Sequence, residues 1–366
     1  MPVKNDTAVI LLSRQHLRPS LKDEWVQSLK KAVEFVKRKG WTLCSSVGTP
    51  NWEIITACAA IKRVPLKLFI ASNSGQSVKV LASYFNLDQA AVQFINVSRD
   101  NGLSTPEAHW KNRDRAVVSA ADVLIPVSIK PRGFLSELVS AAKGAGKNVN
   151  NDFQVRYAEA AAKISYNMDE ACLSNEIKSI GHEYVIHWTR SSNGPWPNEN
   201  PLDYFRSVLS SLEYPRNALN TLQRIISTKQ IIASSKNMPD KVPTVSFSGL
   251  APTATIKLMR WRPRYRQMSF EPYGLGIEIN QALSMGIKEV QYYNPKTDKI
   301  PKSVPSWLTQ SIGRITDWRH EEEFRHKGDF DFAAVPQDRL LAVCHYQAEA
   351  LVLKQQFGLK SVSFCD

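Results

Sequence analysis

Between Ser45 and Glu53 the chain reads Ser-Ser-Val-Gly-Thr-Pro-Asn-Trp-Glu, small residues placed where an apolar run gives way to a helical one. Such a turn at a helix amino terminus offers free backbone N–H groups, which suit an anion such as phosphate. Further on, Tyr184–Arg190 (YVIHWTR) has the pattern of a strand, and its i, i+2 spacing sets His187 and Thr189 on one face. Phe270–Glu278 is an aromatic-glycine turn that includes Tyr273, and Asp317–Arg325 contains the acids Glu321, Glu322 and Glu323 beside Arg319 and Arg325. In Met259–Met268 (MRWRPRYRQM), Arg260, Arg262, Arg264 and Arg266 alternate with Trp261 and Tyr265. In an extended segment this spacing puts four guanidiniums on one side, where they would follow a phosphate backbone while an aromatic stacks on a base. Pairing of these arginines with the Glu321–Glu323 acids is the competing reading. No paired Cys-x-x-Cys or His-x-x-x-His spacing calls for a metal, and no Gly-x-Ser-x-Gly elbow is present.

Elements must hold these groups, and the composition bounds what they can be. Length alone, 366 residues, suggests two domains. A hydrophobic content of 43% with 22% charged residues is ordinary for a globular chain and argues against wholesale disorder. The sequence has no apolar run of membrane-spanning length, and the MPVKNDTAVILL start does not read as a secretory signal. Five cysteines (Cys44, Cys58, Cys172, Cys344, Cys365) are scattered and odd in number, which reads as reduced thiols in a cytoplasm. The formal charge of +13 is uneven: residues 1–150 hold 21 Lys+Arg against 11 Asp+Glu, and the remainder 26 against 23. A basic first half favours phosphate-bearing partners, DNA or RNA among them.

Apolar runs and amphipathic stretches alternate through the first half. Strands are expected at Thr7–Leu12, Trp41–Ser45, Leu66–Ile70, Val92–Asn96 and Asp122–Val127. Helices are expected at Trp25–Lys39, Trp52–Lys62, Trp110–Ala120 and Leu135–Ala142. This order predicts an α/β fold, a doubly wound parallel sheet with its ligand site at the carboxyl ends of the strands. Residues 153–183 read as a helical connector. After it, short strands at Tyr184–Thr189, Ile231–Ala233, Thr244–Phe247, Gly274–Ile279, Val290–Tyr293, Leu340–His345 and Lys360–Phe364, with helices at Ala218–Lys229, Ser306–Arg314 and Ala348–Gln356, predict an α+β domain with a mixed sheet over 184–366.

The segment Trp110-Lys111-Asn112-Arg113-Asp114-Arg115, then Ala120–Val127 with an Asp opening a buried strand, then Arg132-Gly133-Phe134-Leu135, resembles the SLOG superfamily over roughly residues 7–150. That superfamily includes the DNA-processing protein A and lysine-decarboxylase-like enzymes. The resemblance implies a Rossmann-like domain over 1–152 with a pocket for nucleotides or single-stranded DNA, lined by Gly48, Asn51, Arg113, Arg115 and Gly133. Two departures stand out: Ser46-Val47-Gly48 replaces the usual glycine pair, and Gly133 stands alone after the Asp strand.

In the second half, the His187-x-Thr189 strand, the Leu222–Ser234 helix, the Val245–Ser248 strand, the aromatic turn and the acidic run follow the order of the ADP-ribosyltransferase-like fold, including uncharacterised bacterial phage-defence families. Gln230 stands where the family's helix usually ends in glycine. The resemblance implies NAD as cosubstrate, held by His187, Thr189 and Tyr273, with Glu323 or Glu321 as the essential carboxylate and nicotinamide leaving through an oxocarbenium-like state. Three functions stay open. One is an NAD-dependent enzyme acting on nucleic acid or nucleotides, another a DNA-binding or DNA-modifying protein that does not use NAD, and the third a nucleotide-sensing effector.

Overall fold

A computed structural model describes residues 6–71, 80, 83–87, 89–97, 105–158, 164–236, 238–298, 303–312 and 318–366. The chain divides into two compact units, one of residues 1–161 with 193–215 and the other of 162–192 with 216–366.

In the first unit β1 (Thr7–Leu12), β2 (Thr42–Ser46), β3 (Leu66–Ala71), β4 (Val92–Val97), β5 (Val123–Ser128) and β6 (Asn148–Val149) form one parallel sheet in the order β4-β3-β2-β1-β5-β6. β1 and β5 are buried along their whole length, so they read as continuous apolar runs, as strands covered on both faces must. Among the described residues four helices cover the sheet: α1 (Glu24–Arg38), α2 (Pro50–Lys62), α3 (Pro106–Ala120) and α4 (Phe134–Gly144). On α1 the stripe Trp25, Val26, Leu29, Ala32, Val33 and Val36 is buried, the i, i+3, i+4 face its sequence spells. Winding reverses at β1, whose neighbours are β2 and β5, so the carboxyl ends of β1 and β5 bound the switch-point crevice. α5 (Pro201–Val208) also packs into this core through Leu202, Tyr204, Phe205 and Val208. That placement corrects the expectation that residues 193–215 belong with the second domain: an amphipathic helix joins whichever core its apolar face can complete.

The second unit is a mixed seven-stranded sheet. Its strands are β7 (Tyr184–Trp188), β8 (Thr244–Ser248), β9 (Gly274–Glu278), β10 (Lys288–Glu289), β11 (Glu323–Lys327), β12 (Leu340–Tyr346) and β13 (Lys360–Cys365). They run in the order β10-β11-β8-β7-β9-β12-β13. Every pair is antiparallel except β12–β13, which α6 (Gln347–Phe357) connects as a crossover. At Gly274 a Cβ would lie 2.7 Å from Ile186 Cγ2 and 3.0 Å from Trp188 Cε3, so no larger residue fits between β7 and β9.

Two local expectations are corrected. The connector is not a helix: residues 164–183 contain a three-residue 3-10 turn and a five-residue helix, and Leu173 bridges Cys365. The Ser306–Arg314 helix is instead a 3-10 turn at Ser306–Leu308 followed by a strand at Thr309–Ser311, while 313 and 314 lie outside the described residues. Among the described residues no helix is long and apolar enough to cross a membrane.

Candidate binding site at the switch point

Just past the end of β1, hydrogen bonds join the chain to the end of β5: Ser13 N–H donates to Ser128 O at 2.9 Å and Lys130 N–H donates to Ser13 Oγ at 2.9 Å. Gln15 follows. Its Nε2 donates to Ser13 O at 2.9 Å and Ser128 O at 3.4 Å, which fixes the amide so that Oε1 points away, buried and without a donor. His16 Nε2 meets Asp23 Oδ1 at 2.7 Å, and the other carboxylate oxygen accepts the Ser20 N–H at 2.7 Å. The other ring nitrogen, His16 Nδ1, is also buried without a partner. The imidazole lies edge-on to Trp25, whose indole Nε1–H is buried and unmatched, as are Arg18 Nε and Nη2.

α2 brings its amino terminus to the same edge. Asn51 Nδ2 donates to Leu12 O at 2.9 Å and ties the helix to β1. The N-cap Thr49 makes no side-chain cap bond, and its Oγ1 is buried without a partner. Gly48, at φ +88°, donates its N–H to Glu53 Oε1 at 3.2 Å. Burial pushes the Glu53 carboxyl above its usual range, against the opposing pull of that N–H and of Arg113.

These elements enclose a cavity of about 380 Å³. Leu12, Ile54, Trp25, Phe85, Tyr204 and Phe205 form much of its apolar wall, and Gln15, His16, Asn51, Glu53 and Asn193 add polar groups. Nine buried side-chain nitrogen or oxygen atoms among the described residues lack a hydrogen-bond partner. Eight of them belong to Gln15, His16, Arg18, Trp25, Thr49, Ser128 and Asn193, all in the first unit, and four of those seven residues line this cavity. Left dry, each unmatched group costs about 1–3 kcal/mol, so solvent or a ligand that supplies its partner is stabilising here.

Of the residues expected from sequence, only Asn51 lines the cavity. Gly48 shapes the preceding turn. Arg113 is 2% exposed and lies behind the turn, with Nη1 on Val47 O at 2.8 Å and Nε and Nη2 on Asp114 Oδ1. Arg115 is exposed over the Phe134 ring at 5.2 Å, and Gly133 is the N-cap of α4. Gln15, His16, Trp25 and Asn193 were missed. The available signal was the polar run Arg14-Gln15-His16 directly after the central buried strand, where a doubly wound sheet keeps its ligands.

The second-unit constellation does not converge. In the ladder Ile186 is opposite Ser248 and Ser248 opposite Glu323, so Glu323 shares a face with Ile186 and lies on the side away from His187. His187 Nδ1 meets Ser246 O at 2.9 Å, Thr189 Oγ1 donates to Tyr273 O and Ala218 O, and Tyr273 Oη donates to Glu349 Oε1 at 3.0 Å. Glu323 is held by Arg325 through two bonds of 2.8 and 2.7 Å and accepts Ser246 Oγ at 2.7 Å. Glu321 ends a 3-10 turn; burial and then Glu323 raise its pKa, while Arg262 and Arg260 lower it. These residues do not fit NAD as one set, because the imidazole and the carboxylate sit on opposite sides of a packed sheet. The arginine row is corrected as well: Trp261–Arg262 pairs antiparallel with Gln267–Met268, and Pro263–Arg266 forms the turn between them. Pro263 and the left-handed Arg266 (φ +49°) fold the segment back, so the four guanidiniums cannot line one extended edge.

Burial lowers the pKa of His187 and also of His345 from the usual 6.5, so each imidazole takes up a proton less readily in the fold than in the unfolded chain. Stability of this unit is therefore full above that pH and falls as pH drops through the window beneath it, by up to ~1.4 kcal/mol per pH unit for each histidine. Urea unfolding at pH 7.5 and 5.5 should show the loss, and His187→Gln should reduce it; an unchanged pH dependence in that variant would assign the loss elsewhere.

No protein-family model matches the sequence, and no curated protein matches it. Solved structures similar to parts of the chain include the following three. DNA processing protein A from Streptococcus pneumoniae matches at 13% identity and TM-score 0.32, over 40% of this chain and 50% of its own. DNA processing protein A from Helicobacter pylori, described for its single-stranded DNA binding mode, matches at 13% and 0.29, over 39% and 63%. The Moco carrier protein of Chlamydomonas rheinhardtii matches at 12% and 0.27, over 43% and 91%. The chain thus spans only half to 63% of the length of the two DNA processing proteins.

Proposed function

We propose that the first unit is a nucleotide-binding module whose cavity takes a flat, neutral, amine-bearing heterocycle, and that the protein acts as a nucleotide or nucleic-acid binder. The observation that carries this reading is the set of unmatched polar atoms at the cavity. Gln15 Oε1 and Asn193 Oδ1 are acceptors, which ask for a ligand with N–H groups, and His16 Nδ1 is a further unmatched ring nitrogen. The Trp25 indole N–H asks for one ring nitrogen or carbonyl in return. Trp25, Tyr84, Phe85, Tyr204 and Phe205 supply the aromatic contacts. A nucleobase has this donor and acceptor chemistry on a planar body. The charge excess of the first 150 residues would draw a phosphate-bearing form of it. On the second unit, Arg264, Tyr265 and Arg266 are exposed at a hairpin turn, with Arg264 over the Tyr265 ring at 5.7 Å, and this favours single-stranded nucleic acid as a further ligand. No step through NAD is derived.

Calorimetric titration with a panel of nucleobases, nucleosides and nucleotides tests the reading. An amine-bearing base should bind, and Trp25→Phe should weaken it about tenfold, the loss of one buried hydrogen bond. The same variant also gives up part of the buried α1 stripe, so its unfolding temperature is measured beside its binding and affinities are compared where both proteins are fully folded. A panel that does not bind, or a Trp25→Phe protein that binds like the parent, would refute the proposal.

A further inference from the structure

Cys172 and Cys365 are 193 positions apart in the chain, yet their sulfurs are 3.0 Å from each other. A covalent S–S bond is about 1 Å shorter. Backbone bonding on both sides produces the approach: Leu173 bridges Cys365, Ser174 N–H donates to Phe364 O at 2.8 Å, and Ser174 Oγ donates to Ser363 O at 2.6 Å. The two cysteines are therefore stitched into place from outside the pair. Their environments differ, because Cys172 is half-buried in a 3-10 turn whereas Cys365 is 5% exposed at the end of β13. The other three cysteines, Cys44, Cys58 and Cys344, are buried.

The geometry points to Cys172 and Cys365 as a site of reversible oxidative modification, a dithiol that closes to an intramolecular disulfide when it meets a small disulfide oxidant. The thiolate of the more accessible Cys172 attacks one sulfur of the oxidant, forms a mixed disulfide and expels one small thiolate. Cys365 then gives up its proton and attacks the Cys172 sulfur, and the second small thiol leaves. Two protein thiols and one small disulfide become one protein disulfide and two small thiols. Burial and the neighbouring Cys172 raise the Cys365 thiol to about 12, so Cys365 is the weaker nucleophile and what fits it to the second step is its position 3.0 Å from the Cys172 sulfur. The closed form fastens the segment before Ser174 to the last strand of its own sheet. Scattered, reduced thiols were the expectation from sequence; two of the five are brought together by the fold.

The test is titration of the full chain with mixtures of reduced and oxidised glutathione, followed by alkylation, digestion and mass spectrometry. The expected result is a Cys172–Cys365 linked peptide at least about tenfold more abundant than any other pairing, with two hydrogens lost from the intact mass and recovered with dithiothreitol. In urea the preference should vanish, since the sequence separation no longer favours this pair. Cys172→Ser should leave Cys365 unmodified by glutathione, and Cys365→Ser should stop at the mixed disulfide on Cys172. If the parent protein itself stops at that mixed disulfide, or if both thiols alkylate to the same extent with and without oxidant, the inference is overturned.

Discussion

Glu323→Ala should destabilise the second unit by about 3–5 kcal/mol, whatever the protein binds. Arg325 is 1% exposed, and all five of its N–H groups are taken: by Glu323 twice, by Gln310 Oε1 at 2.9 Å, and by the Trp307 and Thr309 carbonyls. Removing the carboxylate strands a buried guanidinium with no carboxylate in direct contact, and the cost of that burial exceeds the modest worth of the pair itself. Chemical denaturation followed by the fluorescence of this unit's tryptophans measures the loss. Joint replacement, Glu323→Leu with Arg325→Met, should recover most of it, because the buried charges then disappear together. A Glu323→Ala protein of parental stability would show that this carboxylate is not the guanidinium's structural partner and would reopen a chemical role for it.

Arg113→Ala should have an effect of similar size in the first unit, about 3–5 kcal/mol. The guanidinium closes the turn through Val47 O, stacks over Trp52 at 5.9 Å and neutralises Asp114, which also accepts Trp52 Nε1–H at 2.9 Å. Burial already raises the Asp114 pKa above 3.8, and the guanidinium counters this. Without it the carboxyl is driven higher and takes up a proton in the fold. An acid raised in the folded state adds stability at low pH and loses it as pH rises. The deficit of the variant should therefore be smaller near pH 5 than at pH 8 in paired unfolding curves. A deficit independent of pH would mean that Asp114 is not the group left exposed to the loss. For binding measurements this arginine is a poor probe, since any weaker affinity would follow from the turn's collapse. Trp25→Phe separates the two effects.

Both arginines show where sequence reading met its limit. A basic residue beside an acid on a helix or strand reads the same whether it faces a ligand or a packed interior. Arg113 was legible as a residue of consequence, but its role as a strut for the Gly48 turn rests on a carbonyl 66 positions away. His187 was read as a strand residue and is one, whereas Glu323 was read only as part of an acidic run and opens β11. Their separation follows from register alone: a carboxylate one position along β11 would have pointed to the other face. The cavity was harder still, since its lining comes from the loop after β1, the start of α2, the Tyr84–Phe85 pair and the 193–205 segment.

What the chain's local order determined was the alternation of strand and helix, the doubly wound sheet, the mixed sheet after it and the basic bias of the first half. Periodicity and charge are properties of neighbouring residues, so they are written in the string itself. Only tertiary structure decided which polar atoms were left without partners, which face each strand turned toward its neighbours, and that two cysteines from distant segments touch. Those outcomes depend on register and on the return of residues 193–215 to the first core. Both are settled by which apolar surfaces bury one another, and no local pattern records that competition.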